Sequence, residues 1–461
     1  MAWICFSRLV FLSLLFVAFN DDWIMQMPAS SLKIGMIGLG VVGTGVAKLL
    51  FEQQERLAKK AGRPLELTKI AVRDPSKPRD INIPDSIITS RWEDVVNDPS
   101  IDIVVELAGG TTWTKKAILD SLASGKHIVT ANKALLATHG KEVFDCARKY
   151  NRCVAFEASV AGGIPIIGAL TQGLAANKII GLRGILNGTC NFILTSMSET
   201  GDSYQNALAE AQKLGFAEAD PTMDVDGTDT AHKLAILVQI AFGQTVPFSA
   251  IDRVGIAGLN SIDIHFAHEL GYGIKLLAEA WINDGKLAVH VSPVLLRMHS
   301  PLAQVRGAYN AIQVIGDAVG DTLHYGLGAG RMPTASSVVA DIIDIAVGRA
   351  QNTFTSMNLW SDSSSVTPLL LSDDVNSRYY LRLLVEDKPG VLADVTRLLA
   401  NHQISIASII QHEAQGENAN GKVQLVIMTH LSKCGKFKAA ANELTRLDCV
   451  SGSAVHYPVE D

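Results

Sequence analysis

The chain has 461 residues, a formal net charge of −6, 48% hydrophobic and 19% charged residues. That length calls for about two to three domains with sizeable cores, and the balance is that of an ordinary soluble globular protein. No long basic block points to nucleic acid, and six cysteines without CxxC spacing read as reduced thiols of a cytoplasmic protein rather than a zinc site.

Residues 1–31 form an apolar extension. Arg8 precedes an uncharged apolar run over 9–19, shorter than the roughly 20 residues that span a bilayer. The run has the length of a signal-peptide core, but no clear small-x-small cleavage site follows. Translation starting at Met25 or Met27 is favoured over export, so this stretch is expected to lie outside the fold.

From residue 32 a short apolar strand, LKIGMIG, runs into GLGVVG (Gly38, Gly40, Val41, Val42, Gly43) and then an apolar helix to about residue 58. Glycines at this spacing permit a tight turn, backbone approach to a pyrophosphate and close helix–strand packing. The helix N-terminus presents its dipole and free N–H groups to the phosphates. Placed between a strand and a helix, the motif predicts a Rossmann-type dinucleotide-binding domain over 32–150. The next strand, 65–72, ends in Arg73-Asp74. An acid there suits the ribose hydroxyls of NAD, whereas Arg73 suits the 2′-phosphate of NADP.

The run IDIVVEL at 101–107 reads as a buried parallel strand ending in Ala108-Gly109-Gly110. A helix over 115–124 and a strand over 127–130 follow, the strand ending in Ala131-Asn132-Lys133. Ligands of such sheets bind at the carboxyl ends of strands, so Gly109 and Lys133 are cofactor or substrate contacts. A strand over 154–157 leads to a Gly-rich turn at 158–165, where Glu157 and turn carbonyls suit either a hard monovalent cation or a plain turn. A β-rich run over 178–186 precedes Asn187-Gly188-Thr189-Cys190-Asn191 and a helix from Phe192. Cys190 lacks a visible activating base, so a buried small residue is the better reading than a nucleophile.

The stretch 214–242, LGFAEADPTMDVDGTDTAHKLAILVQIAF, is the centre of the chain. Asp226-Gly227-Thr228 marks a helix start, and Ala231, Leu234, Ala235, Val238 and Ala241 make an apolar stripe. Asp229 and Lys233 sit four apart beside it. A lysine on a mostly buried helix must be paired or have its pKa lowered, so Lys233 held by Asp229 reads either as a proton donor or acceptor or as a plain i,i+4 surface ion pair. Glu218, Asp220, Asp224 and Asp226 add an acidic wall. Strands near 287–291 and 313–315 suit a second sheet covering the site. Gly330 belongs to a Gly-rich lead-in to a helix, with Pro333 in the first turn; the lead-in reads as a second anion-contact loop for the cofactor or as a plain helix start. That helix, 333–350, is expected to return to the first domain, leaving 151–332 as an α+β catalytic and oligomerisation domain.

Residues 351–378 are polar and read as a linker. The order over 379–457 is βαββαβ, a separate ferredoxin-like unit.

Seven motifs in order, GLGVVGTGV, VVELAGG, HIVTANKALL, FEASVAGGIPII, GILNGTCNFIL, GFAEADPTMDVDGTDTAHKLAIL and GAGRMPTASSVVAD, make residues 32–457 resemble homoserine dehydrogenases that carry a C-terminal ACT domain. The resemblance implies reversible NAD(P)H reduction of L-aspartate 4-semialdehyde to L-homoserine. It implies Lys233 as proton donor, Asp229 as its support, Lys133 at cofactor and substrate, and Glu218 and Asp224 as substrate contacts. It also implies a structural sodium ion on Glu157, Val160, Gly162 and Ile164, a homodimer or homotetramer, and L-threonine as effector at Asp387, Gly390 and Ile404. Two rivals remain open: an acyl-forming semialdehyde dehydrogenase using Cys190, and a catalytically idle NADP-binding amino-acid sensor.

Overall fold

The computed structural model describes residues 30–361, 367–412 and 421–460. The extension at 1–29 and the Ser-rich centre of the polar segment lie outside the described residues. Among the described residues no helix is long and apolar enough to cross a membrane.

Six parallel strands form the first sheet: β1 (Leu32–Ile37), β2 (Leu65–Ala71), β3 (Ile88–Thr89), β4 (Ile103–Glu106), β5 (His127–Thr130) and β6 (Val154–Ala155), in the order β3-β2-β1-β4-β5-β6. The central strands β1 and β4 are mostly apolar because helices cover both faces, and all four residues of β4 are buried, whereas β2 (LELTKIA), nearer the sheet edge, carries Glu66 and Lys69. The order reverses between β1 and β4, which leaves a crevice at the carboxyl ends of the strands. The helix expected to reach residue 58 is broken at Gln53, whose backbone (φ −124°, ψ 28°) separates Val41–Glu52 from Gln54–Ala61.

The remaining strands are β7 (Ile179–Ile185), β8 (Asp252–Arg253), β9 (Tyr272–Asn283), β10 (Lys286–Arg297), β11 (Tyr309–Gly316), β12 (Gly320–Leu327), β13 (Asn376–Glu386), β14 (Ile406–Gln411), β15 (Lys422–Thr429), β16 (Ser432–Lys433) and β17 (Val450–Glu460). They build one sheet along the path β12-β11-β7-β9-β10-β17-β13-β15-β14, with β8 and β16 pairing to its side. The C-terminal βαββαβ unit is therefore joined to the central sheet rather than standing apart. Its last strand pairs in parallel with β10 through Leu295–Val459 and Leu296–Glu460.

Two further departures have local causes. The helix expected from Phe192 starts at Gly188, because the Asn187 side chain accepts from Cys190 N–H and caps it. The polar segment after 348 is not all linker: Arg349–Met357 is a helix, and Phe354 stacks on Phe144 while Trp360, 4% exposed, packs on the same ring. The helix Arg331–Ala346 packs on Val41–Glu52, where a Cβ at Gly45 would lie 2.7 Å from Arg331 O.

The C-terminal unit is also pinned by charge. Asp263, fully buried on the helix Ser261–Glu269, accepts from Tyr380 Oη at 3.0 Å and from Arg382 Nε and Nη2 at 2.5 and 3.0 Å. Asp263→Ala leaves the Arg382 guanidinium buried without its partner. The expected loss is about 3–5 kcal/mol of unfolding free energy, read from urea denaturation of the variant against wild type.

Candidate active site

The turn after β1 is shaped for a dinucleotide. Gly38 has φ 103°, where only glycine is relaxed. A Cβ at Gly43 would lie 2.2 Å from Gly38 O, so the helix can start this close to the strand only without a side chain. A Cβ at Gly40 would meet nothing within 4 Å; this is the face left open to a ligand. Gly40 is the N-cap of Val41–Glu52 and supplies no side-chain cap, so the first N–H groups of that helix, near Val41, Val42 and Gly43, are presented outward.

This turn borders an open groove of about 790 Å³, lined also by Arg73, Asp74, Lys77, Arg79 and Gly109. The Asp74 carboxylate is taken up locally, accepting from Ser76 N–H at 2.9 Å and Ser76 Oγ at 2.6 Å. Arg79 is braced on the carbonyls of Asp74, Pro75 and Lys77. The groove end beyond β2 is thus cationic, with its one acid facing inward to the turn.

A buried brace connects the groove to the chemistry. Glu106, fully buried, accepts from the N–H groups of Ala108 and Gly109 at 2.9 and 2.8 Å and from Thr130 Oγ1 at 2.8 Å. Asn132 Nδ2 donates to Gly110 O at 2.7 Å, and Asn132 Oδ1 caps the helix Lys133–Lys149. Lys133 therefore stands at a fixed helix start.

Lys133 Nζ lies 3.1 Å from Asp229 Oδ1. Lys233 Nζ donates to Asp229 Oδ2 and to Leu186 O, both at 2.7 Å. The lysine that the pattern placed on a mostly buried helix is paired, and its side chain is 12% exposed. Asn187 Nδ2 donates to Asp229 Oδ2 at 2.9 Å and to Asp224 Oδ1 at 2.8 Å, so one amide joins the two acids. Burial alone would lift the Asp229 pKa, but the charges of Lys233 and Lys133 outweigh it and hold the carboxyl well below the usual range. Burial raises Asp224, only partly offset by the Asn187 hydrogen bond.

The acidic wall is not continuous. Asp220 Oδ1 accepts from Thr222 N–H and Oγ1, and Asp226 Oδ1 accepts from Thr228 N–H, so these two acids close turns. The helix Thr228–Phe242 is preceded by Gly227 at φ 86° without a side-chain cap. Glu218 is exposed on the loop before it. Gly330, at φ 126°, is the N-cap of Arg331–Ala346.

Around the Gly-rich turn, Glu157 accepts from Ile167 N–H and Gly168 N–H, both at 2.8 Å. The Gly162 and Ile164 carbonyls accept from Ser337 Oγ and Ile166 N–H, and Val160 is fully buried beside them. Burial pushes the Glu157 carboxyl up to about 7, and burial with the Glu157 charge lifts Asp341, which accepts from Glu157 N–H at 2.9 Å.

Sequence reasoning missed Asn187, Asn132, Glu106 and Thr130. The Asn before each helix start, in ANKALL and NGTCN, is the signal that was available.

A dinucleotide turn tied through one buried brace to a lysine–carboxylate cluster is the arrangement of an NAD(P)-dependent oxidoreductase. Residues 38–157 match the NAD-binding domain of homoserine dehydrogenase, residues 165–343 its catalytic family, and residues 379–449 the ACT domain. The chain is 45% identical to a homoserine dehydrogenase of Pseudomonas aeruginosa, with 93% of this chain and 98% of that one covered. It is 38% identical to the Bacillus subtilis one, with 93% and 98% covered. A crystal structure of a homoserine dehydrogenase from Thiobacillus denitrificans superposes with TM-score 0.85 at 41% identity, covering 94% of this chain and 99% of that one. The chain belongs to the homoserine dehydrogenase family.

Cys190 is fully buried at the start of its helix, with Sγ 3.2 Å from Asp224 O, and burial holds its thiol well above the ordinary value. It is no thiolate nucleophile. In the native protein Cys190 is expected to resist an aqueous disulfide reagent, and Cys190→Ala to keep turnover within about threefold of wild type; loss of all activity in that variant would restore the acyl-enzyme reading.

Proposed function

We propose that the protein catalyses reversible reduction of L-aspartate 4-semialdehyde to L-homoserine in the cytoplasm, preferring NADP(H) over NAD(H), on the route to threonine and methionine. The observation that carries this is the Lys233–Asp229–Lys133 cluster, built on a buried carboxylate and tied through the Glu106–Asn132 brace to the dinucleotide groove. The bound nicotinamide supplies the hydride. Lys233 Nζ gives a proton to the alkoxide oxygen that develops and takes it back in the reverse direction. Asp229 keeps that lysine oriented, Lys133 neutralises the other carboxylate oxygen and reaches cofactor and substrate, and Asp224 with Glu218 seats the substrate ammonium. Arg73, Lys77 and Arg79 at one groove end favour a 2′-phosphate; a related archaeal homoserine dehydrogenase, 26% identical with TM-score 0.58, was solved with NADPH. All five cysteines among the described residues are unpaired, in keeping with a reducing compartment.

NADPH and NADH oxidation with L-aspartate 4-semialdehyde tests the reading. Lys233→Ala should lower kcat by about two decades or more, and Arg73→Ser should shift selectivity toward NADH. A variant as fast as wild type removes Lys233 from the chemistry.

Glu157, with the carbonyls of Val160, Gly162 and Ile164, would hold a sodium ion. The residues fit: a buried carboxylate beside Asp341 is short of positive charge. Because burial raises the Glu157 pKa above its ordinary 4.5 to about 7, its stabilising contribution is full at low pH and lost as pH rises through that window. In choline chloride the Tm should fall between about pH 5 and pH 8, and sodium chloride at equal ionic strength should recover it at the upper end. Glu157→Gln should flatten the profile; a Tm indifferent to sodium would refute the site.

A homodimer or homotetramer is supported by β12, an edge strand with Leu323, Tyr325 and Leu327 exposed by 41–55%. Feedback by L-threonine is supported by the ACT unit. There Gly390, at φ 96°, precedes the helix Val391–Asn401, Asp387 is exposed and Ile404 is buried.

A further inference from the structure

One wall of the nucleotide groove is aromatic, and neither the glycine turn nor the cationic loop after β2 accounts for it. Trp92 and Trp113 both line the groove, with ring centroids 6.4 Å apart and planes inclined at 36°. Trp92 precedes the short helix Glu93–Val96, and Trp113 opens the helix Trp113–Ala123. These two helices pack on one another, so the indoles stand side by side where the chain leaves β3 and β4.

Both indoles are held in place. Half-buried Trp92 packs against the main core, and Lys116 Nζ lies 5.6 Å from the centre of its ring. Trp113 is fixed through its neighbour, since Thr114 Oγ1 donates to Gly110 O at 2.7 Å. The same carbonyl accepts from Asn132 Nδ2. Trp113 itself is 43% exposed. An aromatic side chain anchored on a pocket wall and left this open offers a flat apolar face to a flat ligand.

The position selects which part of the ligand that is. The glycine turn after β1 suits the pyrophosphate, and Arg73, Lys77 and Arg79 beyond β2 suit a 2′-phosphate. Trp92 follows β3, which lies on the far side of β1 from β5 and Lys133. The pair therefore flanks the half of the groove remote from the lysine cluster, the half that receives the base opposite the nicotinamide. Contacts for the edge of that base are few. Among the described lining residues, Asp74 and Ser90 have the only side chains able to accept from an exocyclic amino group, and Asp74 Oδ1 closes the turn on Ser76. Stacking does not need such contacts, because every base presents a π face.

We propose that the Trp92–Trp113 wall holds the adenine of the dinucleotide by its face, with Trp113 as the stacking platform and Trp92 as its buttress. The purine is recognised as a surface rather than by the hydrogen bonds of its edge. This rests on the dinucleotide reading above for the identity of the ligand, and not on the reaction.

Calorimetric titration of the full chain with 5′-AMP, 2′,5′-ADP and ribose 5-phosphate, without substrate, reads the base subsite apart from turnover. Both nucleotides should bind and quench tryptophan fluorescence, and ribose 5-phosphate should do neither. Trp113→Ala should weaken both nucleotides by about tenfold. Trp113→Phe keeps a stacking face, so it should hold them within about threefold of wild type while losing most of the quench. 5′-IMP, in which a carbonyl replaces the amino group, should bind within about threefold of 5′-AMP. Arg73→Ser should weaken 2′,5′-ADP alone; an equal effect on both nucleotides would refute the 2′-phosphate reading and leave the tryptophan platform standing. Nucleotide affinity unchanged in Trp113→Ala overturns the proposal, and so does equal loss in the alanine and phenylalanine variants, which would make the indole a packing group. Weakening of 5′-IMP by more than about tenfold relative to 5′-AMP overturns recognition by the face. Absence of nucleotide binding in wild type overturns both the platform and the dinucleotide reading, whereas binding with the expected variant pattern but no turnover of the semialdehyde refutes the reaction alone.

Discussion

The ionised state of Asp229 is the constraint on which the rest of the structure turns. The residue is 6% exposed, and a lone carboxylate buried to that degree would take up a proton. It stays charged because Lys233, one turn along its own helix, and Lys133, from the helix after β5, approach its two oxygens from different directions, with Asn187 adding a third donor. Lys233 is local, but Lys133 and Asn187 come from distant parts of the chain, so the full cluster forms only when the first sheet and the central helix are packed in one arrangement. Removing either cation would leave a buried charge imbalance, which is far costlier than the loss of a surface pair. The placement of the nucleotide groove relative to Lys233 is thus held by electrostatics as much as by packing.

The brace formed by Glu106, Thr130 and Asn132 extends that arrangement to the cofactor side. It uses the N–H groups of the loop after β4 and the carbonyl of Gly110 to hold the loop beside the start of the Lys133 helix. The opposite face is bound to the ACT unit through the continuous sheet and the Asp263–Arg382 pair. A displacement of the ACT unit would therefore act on β10 and on the helix Ser261–Glu269, and β9 and β10 pack beneath the helix Thr228–Phe242.

Much of this was legible in the chain, and the exceptions have reasons. β1 and β4 are short apolar runs with Gly-rich ends, and β5 and the helix Val391–Asn401 have the bounds that their patterns predict. By contrast, β9 was missed because Lys275 and Glu279 interrupt its apolar run. Both are buried and satisfied by distant partners: Lys275 by Asn191 Oδ1 and Val305 O, Glu279 by Arg183 and His290. Burial lowers the Lys275 pKa to about 8, so the strand carries a costly charge that no local pattern would anticipate. The helix Arg349–Met357 was hidden by polar composition, since its single aromatic, Phe354, suffices to anchor it on Phe144. The acidic stretch misled in the other direction: Asp-x-Thr at 220–222 and 226–228 is an Asx-turn pattern, and both acids serve their own backbone.

What remains of the acidic stretch is a pair with opposite tendencies. Asn187 donates to both Asp224 and Asp229, yet burial raises the pKa of the first while two lysines depress that of the second. Asp229 has its full complement of positive charge and gains little from another cation. Asp224 is costly to ionise where it stands, and an ammonium brought against it would lower that cost. In the proposed reaction a substrate bearing an ammonium would therefore be drawn to Asp224 and away from the Asp229–Lys233 pair, which would leave Lys233, the proposed proton donor, free of a competing positive charge. The shared Asn187 amide ties the two carboxylates together, so in the proposed reaction seating the substrate and aligning Lys233 would be set by one contact rather than two.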